Sequence, residues 1–249
     1  MENTSFEAEK EAEELFNLYN FILETLNKKS DNKVKVISIV GGAGSGKTTF
    51  ARNFVEFLIN TTSSKACTLS TDDYVIGDRK FRKKIEAEGK PPIAKYKPEK
   101  LNKNIAKIKK LTPDDEPYAV PTYNDKTGEA IDAETYTKKL TPVDYIIVEG
   151  DFDFVETPDL LIYFDVDDKT RLDNRINRDL LLRGATDVDS IIESFNKRQK
   201  TQHYPYTAPT KEKADIVISA KKEDSKNPNS RYSYSVIVNE FKKNNSAEK

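Results

Sequence analysis

Val34-Lys35-Val36-Ile37-Ser38-Ile39-Val40 runs directly into Gly41-Gly42-Ala43-Gly44-Ser45-Gly46-Lys47-Thr48, and that junction decides the fold. The first stretch is a short β-branched run of the kind that forms a buried strand. The second fills every fixed position of the phosphate-binding pattern G-x-x-x-x-G-K-[ST]. Beyond it, Phe50, Phe54, Val55, Phe57, Leu58 and Ile59 are distributed over Thr48 to Asn60 as on a helix packed against a sheet. Strand, glycine loop and helix, in that order, is the context in which this pattern binds phosphate.

The chemistry of such a loop is specific. Glycines adopt backbone angles closed to residues with a Cβ, so successive N–H groups can turn toward one anion. The following helix points the positive end of its dipole at the same place. Gly41, Gly42, Ala43, Gly44, Ser45, Gly46, Lys47, Thr48 and Thr49 are therefore the expected contacts of a nucleoside triphosphate. Lys47 is expected to reach the β- and γ-phosphates, and the Thr48 hydroxyl to ligate Mg²⁺.

The chain has 249 residues, enough for one large α/β domain. Its 41 Lys and Arg balance 42 Asp and Glu, which argues against a dedicated nucleic-acid binder. A single cysteine, Cys67, excludes a disulfide within the chain and reads as a small buried hydrophobe. The single histidine, His203, excludes a multi-histidine metal site and reads as a surface or helix-end side chain. No run approaches a membrane span, and the acidic N-terminus is unlike a signal peptide, so a reducing cytoplasm is the expected setting.

Alternating patterns organise the rest. Residues 5–28 carry Leu15, Leu18, Tyr19, Ile22 and Leu26 at helical spacing, predicting an N-terminal helix over 1–30 packed on the domain. Strands are expected over 65–70, 143–148, 160–166 and 214–219. Helices are expected over 98–111, 168–184 and 188–202. Residues 77–97 read as a polar, basic stretch. Residues 118–142 read as a hairpin-like excursion around Tyr123-Asn124-Asp125-Lys126-Thr127-Gly128-Glu129. Residues 221–249 form a polar tail that Tyr232 to Phe241 interrupts with a candidate edge strand. The main domain, 31–220, is thus α/β, with a mostly parallel sheet covered on both faces.

In such a sheet ligands bind beyond the carboxyl ends of the strands. Glu149 closes one strand and is placed to hold Mg²⁺ with Thr48. Asp72 follows another, where a carboxylate can take the proton of an attacking hydroxyl. Asp73 competes with it, and neighbours on extended chain point opposite ways. Arg171, Arg175 and Arg178 share one helical face, and with Arg183 they suit a lid over phosphates, spanning 168–186.

The chain resembles the P-loop kinases that include uridine kinase, phosphoribulokinase, nicotinamide riboside kinase and bacterial-type pantothenate kinase. The carriers are Gly41–Thr49, Ser70-Thr71-Asp72-Asp73-Tyr74, Pro121-Thr122-Tyr123, Val148-Glu149-Gly150, Arg175 to Asp179 with Arg183-Gly184, and Pro209 to Asp215. The resemblance implies a three-layer α/β/α P-loop NTPase fold with a lid, and an ATP- and Mg²⁺-dependent transfer to a hydroxyl of a small molecule. It implies Asp72 as base, Lys47, Arg175, Arg178 and Arg183 as catalytic cations, and Asp72, Tyr74 and Tyr123 as acceptor contacts. Asn124, Gly128 and Ala130 stand where uridine kinases carry an aspartate, a histidine and an arginine for the nucleoside. Pantothenate, a sugar or a sugar phosphate is therefore the alternative acceptor, and a non-catalytic ATP-binding regulator the alternative role. Asn102-Lys103-Asn104-Ile105 lacks the acid of a guanine signature, which argues against a GTPase switch. The expected partner is the small-molecule acceptor, without nucleic acid or membrane, and self-association is compatible with the chain.

Overall fold

The computed structural model describes residues 2–124, 128–131, 137–224, 230 and 232–239. Its centre is a six-stranded sheet in the order β2-β6-β1-β7-β8-β9. The strands are β1 (Lys35–Gly41), β2 (Ala66–Ser70), β6 (Tyr145–Gly150), β7 (Leu160–Asp165), β8 (Ile216–Lys222) and β9 (Tyr232–Val238). All pair in parallel except β9, which closes the edge antiparallel to β8.

β1 is central and buried on both faces, so its sequence is a continuous apolar run and not an alternating one. Ile37 and Ile39 face the layer of α1 (Glu2–Lys29) and α2 (Lys47–Thr62). Val36 faces the opposite layer, with Leu101, Ile105 and Ile108 of α4 (Pro98–Ile108). On α1, Leu18, Tyr19, Ile22, Leu23 and Leu26 are buried, which accounts for the stripe legible in the sequence. Each such side chain contributes on the order of 2 kcal/mol. A charge at Ile22, wholly buried, would detach the helix.

Three expectations change. Residues 77–97 contain a helix, α3 (Arg79–Ala87), capped by the Asp78 carboxylate accepting the Phe81 N–H at 2.7 Å. Only Ile85 of α3 is buried, so the helix has almost no apolar stripe to read. The 118–142 excursion is a three-stranded antiparallel sheet, with β3 (Tyr118–Asn124) between β4 (Glu129–Ile131) and β5 (Thr137–Leu140). Residues 125–127 and 132–136 of that excursion lie outside the described residues. After α5 (Asp168–Arg183), helix α6 (Val188–Arg198) continues as a wider π-type segment, Gln199–Thr207. That segment carries Pro205 internally; the wider turn accommodates a residue with no N–H to donate. The one-turn helix α7 (Thr210–Lys213) then leads into β8.

Candidate active site

The glycine loop leaves the carboxyl end of β1 and opens α2. Gly44 and Gly46 have φ of +84° and +87°, angles that favour glycine. Gly46 caps α2 without any side-chain bond, so the first-turn amides have no side chain on them. Residues 43–49 line a cavity of about 1550 Å³ that extends over the ends of β1, β2 and β6. Ser45 Oγ and Arg175 Nη1 are buried with no hydrogen-bond partner among the described residues. Unused amides, an unmet hydroxyl and an unmet guanidinium nitrogen together fit a polyphosphate.

Lys47 is buried and donates to Asp151 Oδ1 at 2.7 Å. Asp151 Oδ2 also accepts from Arg198 Nη2 and Gln202 Nε2, both at 2.9 Å. Burial alone would raise the Asp151 pKa, but the Lys47 and Arg198 charges outweigh it and hold the carboxyl down at about 2. The carboxylate thus anchors two cations at the mouth of the loop.

Thr48 donates to Glu149 Oε2 at 2.9 Å. The strand register sets this pair: Glu149 lies beside Ile39 on β1 and Ser70 on β2. Burial raises the Glu149 pKa, against the Lys47 charge that lowers it. A hydroxyl and a carboxylate are the hard oxygen donors that suit Mg²⁺. Among the described residues no three His, Cys, Asp or Glu side chains are arranged to hold a metal ion by themselves, so a metal here would draw further ligands from water and phosphate.

Asp72 and Asp73 separate clearly. Asp73 turns inward, accepting the Tyr123 N–H at 2.7 Å and the Ser70 N–H at 3.2 Å within a capping box. Burial is the main cause that pushes its pKa up to about 6. Asp72 is exposed to the cavity, its carboxylate 3.5 Å from the Tyr96 hydroxyl. Tyr96 is backed by Phe152 and Phe154, each with its ring centroid 5.3 Å away. The Tyr123 side chain also lines the cavity, with the Arg82 guanidinium 6.0 Å from its ring.

Several expected residues fall elsewhere. Tyr74 is a correction: it is 2% exposed, its hydroxyl accepts from Asn104 Nδ2 at 3.0 Å, and it lies in the core under α4. Asp72, two residues before it, faces the cavity, while Tyr74 leaves the same short turn toward the core. Arg171 is 1% exposed and pairs with Asp168 at 2.6 Å beneath the loop. A Cβ on Gly42 would overlap its guanidinium, so Arg171 braces the loop from behind. Arg175 and Arg178 do line the cavity. Burial and then the charge of Arg198 lower the Arg175 pKa, as expected where cations crowd. Arg183 ends α5, and its side chain lies outside the described residues. His203 is not a surface residue: it packs against Gly42, and burial with the Arg171 charge pushes its pKa down to about 4. Cys67 is buried and free, as its sequence setting predicts.

Asp151, Arg198, Gln202 and Tyr96 went unread in the sequence. Asp151 stands two residues after the strand-ending Glu149, the one local signal that could have flagged it. The other three belong to a helix, its π-type continuation and a loop whose approach to the cavity only packing sets.

A family model described as Phosphoribulokinase / Uridine kinase family matches residues 36–225. The uridine kinase of Borrelia duttonii (strain Ly) is 32% identical over 192 residues, covering 74% of this chain and 86% of that protein. The uridine kinase of Streptococcus mutans is 31% identical over 190 residues, with 74% and 85% covered. Among solved structures, D-glycerate 3-kinase from Cryptococcus neoformans superposes with a TM-score of 0.62 at 13% identity, covering 82% of this chain and 94% of that one. Phosphoribulokinase from Rhodobacter spheroides superposes with a TM-score of 0.52 at 17% identity, covering 80% and 74%. At these identities the superpositions speak for the fold.

Proposed function

The chain belongs to the phosphoribulokinase / uridine kinase family, and from that premise we propose an ATP- and Mg²⁺-dependent kinase that moves the γ-phosphate onto a hydroxyl of a small molecule. One observation carries the proposal: the glycine loop, the Thr48–Glu149 pair and the Asp72 carboxylate line a single cavity.

Bound Mg·ATP supplies the transferable phosphoryl group and the divalent charge that screens it. The loop amides and Lys47 bind and orient the phosphates, and Thr48 and Glu149 hold the metal. Asp72 accepts the proton of the acceptor hydroxyl, with Tyr96 beside it to orient the carboxylate. Arg175 and Arg178, with Arg183 in the same lid, stabilise charge on the transferring group. Tyr123 lines the acceptor end.

The curated relatives are named uridine kinases, which makes a nucleoside the first acceptor to test. A second acceptor class has its own support. Arg79, Arg82, Lys83 and Lys197 line the same cavity as Asp72, where Lys95 is paired with Glu86 at 2.6 Å, and this excess of cations favours an acceptor carrying negative charge, such as a sugar phosphate. ADP production with Mg²⁺ across uridine, cytidine, pantothenate, free sugars and sugar phosphates separates the two. Acceptor-stimulated ADP release is the expected result. No stimulation by any member of the panel, with MgATP bound, favours a regulator over an enzyme.

A further inference from the structure

The family match spans 36–225, so α1 and β9 both lie outside it. Both nonetheless reach the nucleotide cavity. Leu15 and Tyr19 of α1 and Tyr232 and Tyr234 of β9 line it together with the glycine loop. We propose that α1 and β9 build the pocket for the base of the donor nucleoside triphosphate, with Tyr232 and Tyr234 as its aromatic wall and the Tyr19 hydroxyl on its polar edge. The proposal rests on the phosphate cradle described above and adds the part of the site that a polyphosphate alone would not use.

Four observations carry it. First, Tyr232 and Tyr234 stand two apart on β9 and so face the same side, their rings 6.2 Å apart and 28° from parallel. Flat apolar faces of this kind stack on bases without depending on sequence or charge. Second, Asn174 Nδ2 donates to the Tyr232 hydroxyl at 2.7 Å and to the Gly44 carbonyl at 2.9 Å. One amide therefore ties the aromatic wall to the loop that would hold the phosphates. Third, Tyr19 is 5% exposed, and its hydroxyl has no hydrogen-bond partner among the described residues. A buried hydroxyl left unmet is rare, and this one belongs to a residue lining the cavity. Fourth, among the described residues α1, α2 beyond Lys47 and β9 place no lysine or arginine on the cavity and only the Glu11 carboxylate as a charge, whereas Arg175 and Arg178 line it from α5. An uncharged ring suits the first end, and phosphates suit the second.

Packing alone explains less. Leu18, Ile22 and Leu26 already fasten α1 to the sheet, and the Glu11 carboxylate accepts the Tyr232 N–H at 3.3 Å to join α1 to β9. Tyr232 and Tyr234 themselves pack, partly buried, against that core, and Lys222 Nζ stands 5.6 Å from the Tyr232 ring centroid, but none of these contacts meets the Tyr19 hydroxyl.

Calorimetry on the full chain with Mg-ATP analogue (non-hydrolysable) and Mg-tripolyphosphate separates base from phosphate. The unaltered chain is expected to bind the nucleotide at least tenfold tighter than tripolyphosphate. Tyr232→Ala should lose most of that ratio while tripolyphosphate affinity stays within about twofold. Tyr232→Phe, which keeps the ring, should retain it. Should Tyr232→Ala fail to fold, nuclear Overhauser contacts between the base protons and tyrosine rings that vanish or shift in Tyr232→Phe give the same answer. A ratio near one in the unaltered chain, a ratio unchanged by Tyr232→Ala, or an absence of base-to-tyrosine contacts overturns the pocket and leaves the kinase reading intact. Failure to bind tripolyphosphate or nucleotide at all overturns the cradle, and the pocket with it.

Discussion

Lys47 Nζ lies 2.7 Å from Asp151 Oδ1, and both residues are buried. The cation that the loop offers to phosphate already has an anionic partner, which also holds Arg198. Removing one side of such a pair is costly because the other charge stays behind. Asp151→Asn is expected to destabilise the nucleotide-free protein by about 3 kcal/mol. Phosphate would then compensate Lys47 and Arg198, so saturating MgATP should raise the melting temperature more in the variant than in the parent. Equal shifts in thermal denaturation would count against this coupling.

Asp72 and Asp73 make opposite predictions. Asp72→Asn should lower phosphoryl transfer by roughly 10²- to 10⁴-fold while nucleotide affinity and melting temperature hold. Asp73→Asn should instead cost about 1–3 kcal/mol of stability, because its two oxygens accept two different backbone amides and one would become an NH₂. Steady-state kinetics beside chemical denaturation reads both. The reverse pattern would reassign the base to Asp73.

The lid prediction concerns Arg175 and Arg178. Either one changed to Ala should cut kcat by roughly 10²-fold with a smaller change in KM, as when a donor to developing charge is removed. Arg171→Ala should behave differently, lowering stability and nucleotide affinity together, because its guanidinium lies beneath Gly42. A full kcat in both lid variants would remove them from catalysis.

Loop glycines separate strain from crowding. A Cβ on Gly46 would meet nothing, so Gly46→Ala should cost only the left-handed backbone term, about 1–2 kcal/mol. A Cβ on Gly44 would also strike the Arg171 carbonyl, so Gly44→Ala should cost more and shift the start of α5. Urea denaturation and MgATP affinity on the two variants check the order.

His203 sets a pH dependence. Burial, and then the Arg171 charge, push its pKa from 6.5 down to about 4, against the opposing charges of Asp168, Asp151 and Asp165. The folded form prefers the neutral ring, so its contribution is complete above pH 6.5 and is lost as pH falls toward 4. Asp73 has the opposite sign: with its pKa raised from 3.8 to about 6, its contribution is complete below 3.8 and is lost as pH rises through 6. The two oppose each other in mild acid, so the informative quantity is a difference. The melting temperature of the parent minus that of His203→Gln should fall steadily from pH 7 to pH 4.5. A flat difference would show that His203 takes no part.

The order of elements was largely legible because helix and strand periods are local. The β-branched run before Gly41, the stripe of Leu18, Ile22 and Leu26, and the strand ending at Glu149 each declare themselves within a dozen residues. α3 was not legible, since a helix with one buried residue leaves no period. At the site, the loop and the candidate Thr48–Glu149 pair could be read because both sit where strands end. Spacing alone narrowed the base to Asp72 or Asp73; the family resemblance named Asp72, which is the one of the two that lines the cavity.

Sequence by itself determined a phosphate loop on a parallel α/β sheet, because the glycines, Lys47 and Thr48 must be contiguous to wrap an anion. Tertiary structure alone decided which side chains face that anion. Asp151 comes to Lys47 from 104 residues away through the pairing of β1 with β6, and α5 turns Arg171 under the loop while leaving Arg175 in the cavity. Tyr74 went to the core for the same reason. A side chain's direction depends on the register and packing of its element against distant ones, and no short window of sequence carries that information.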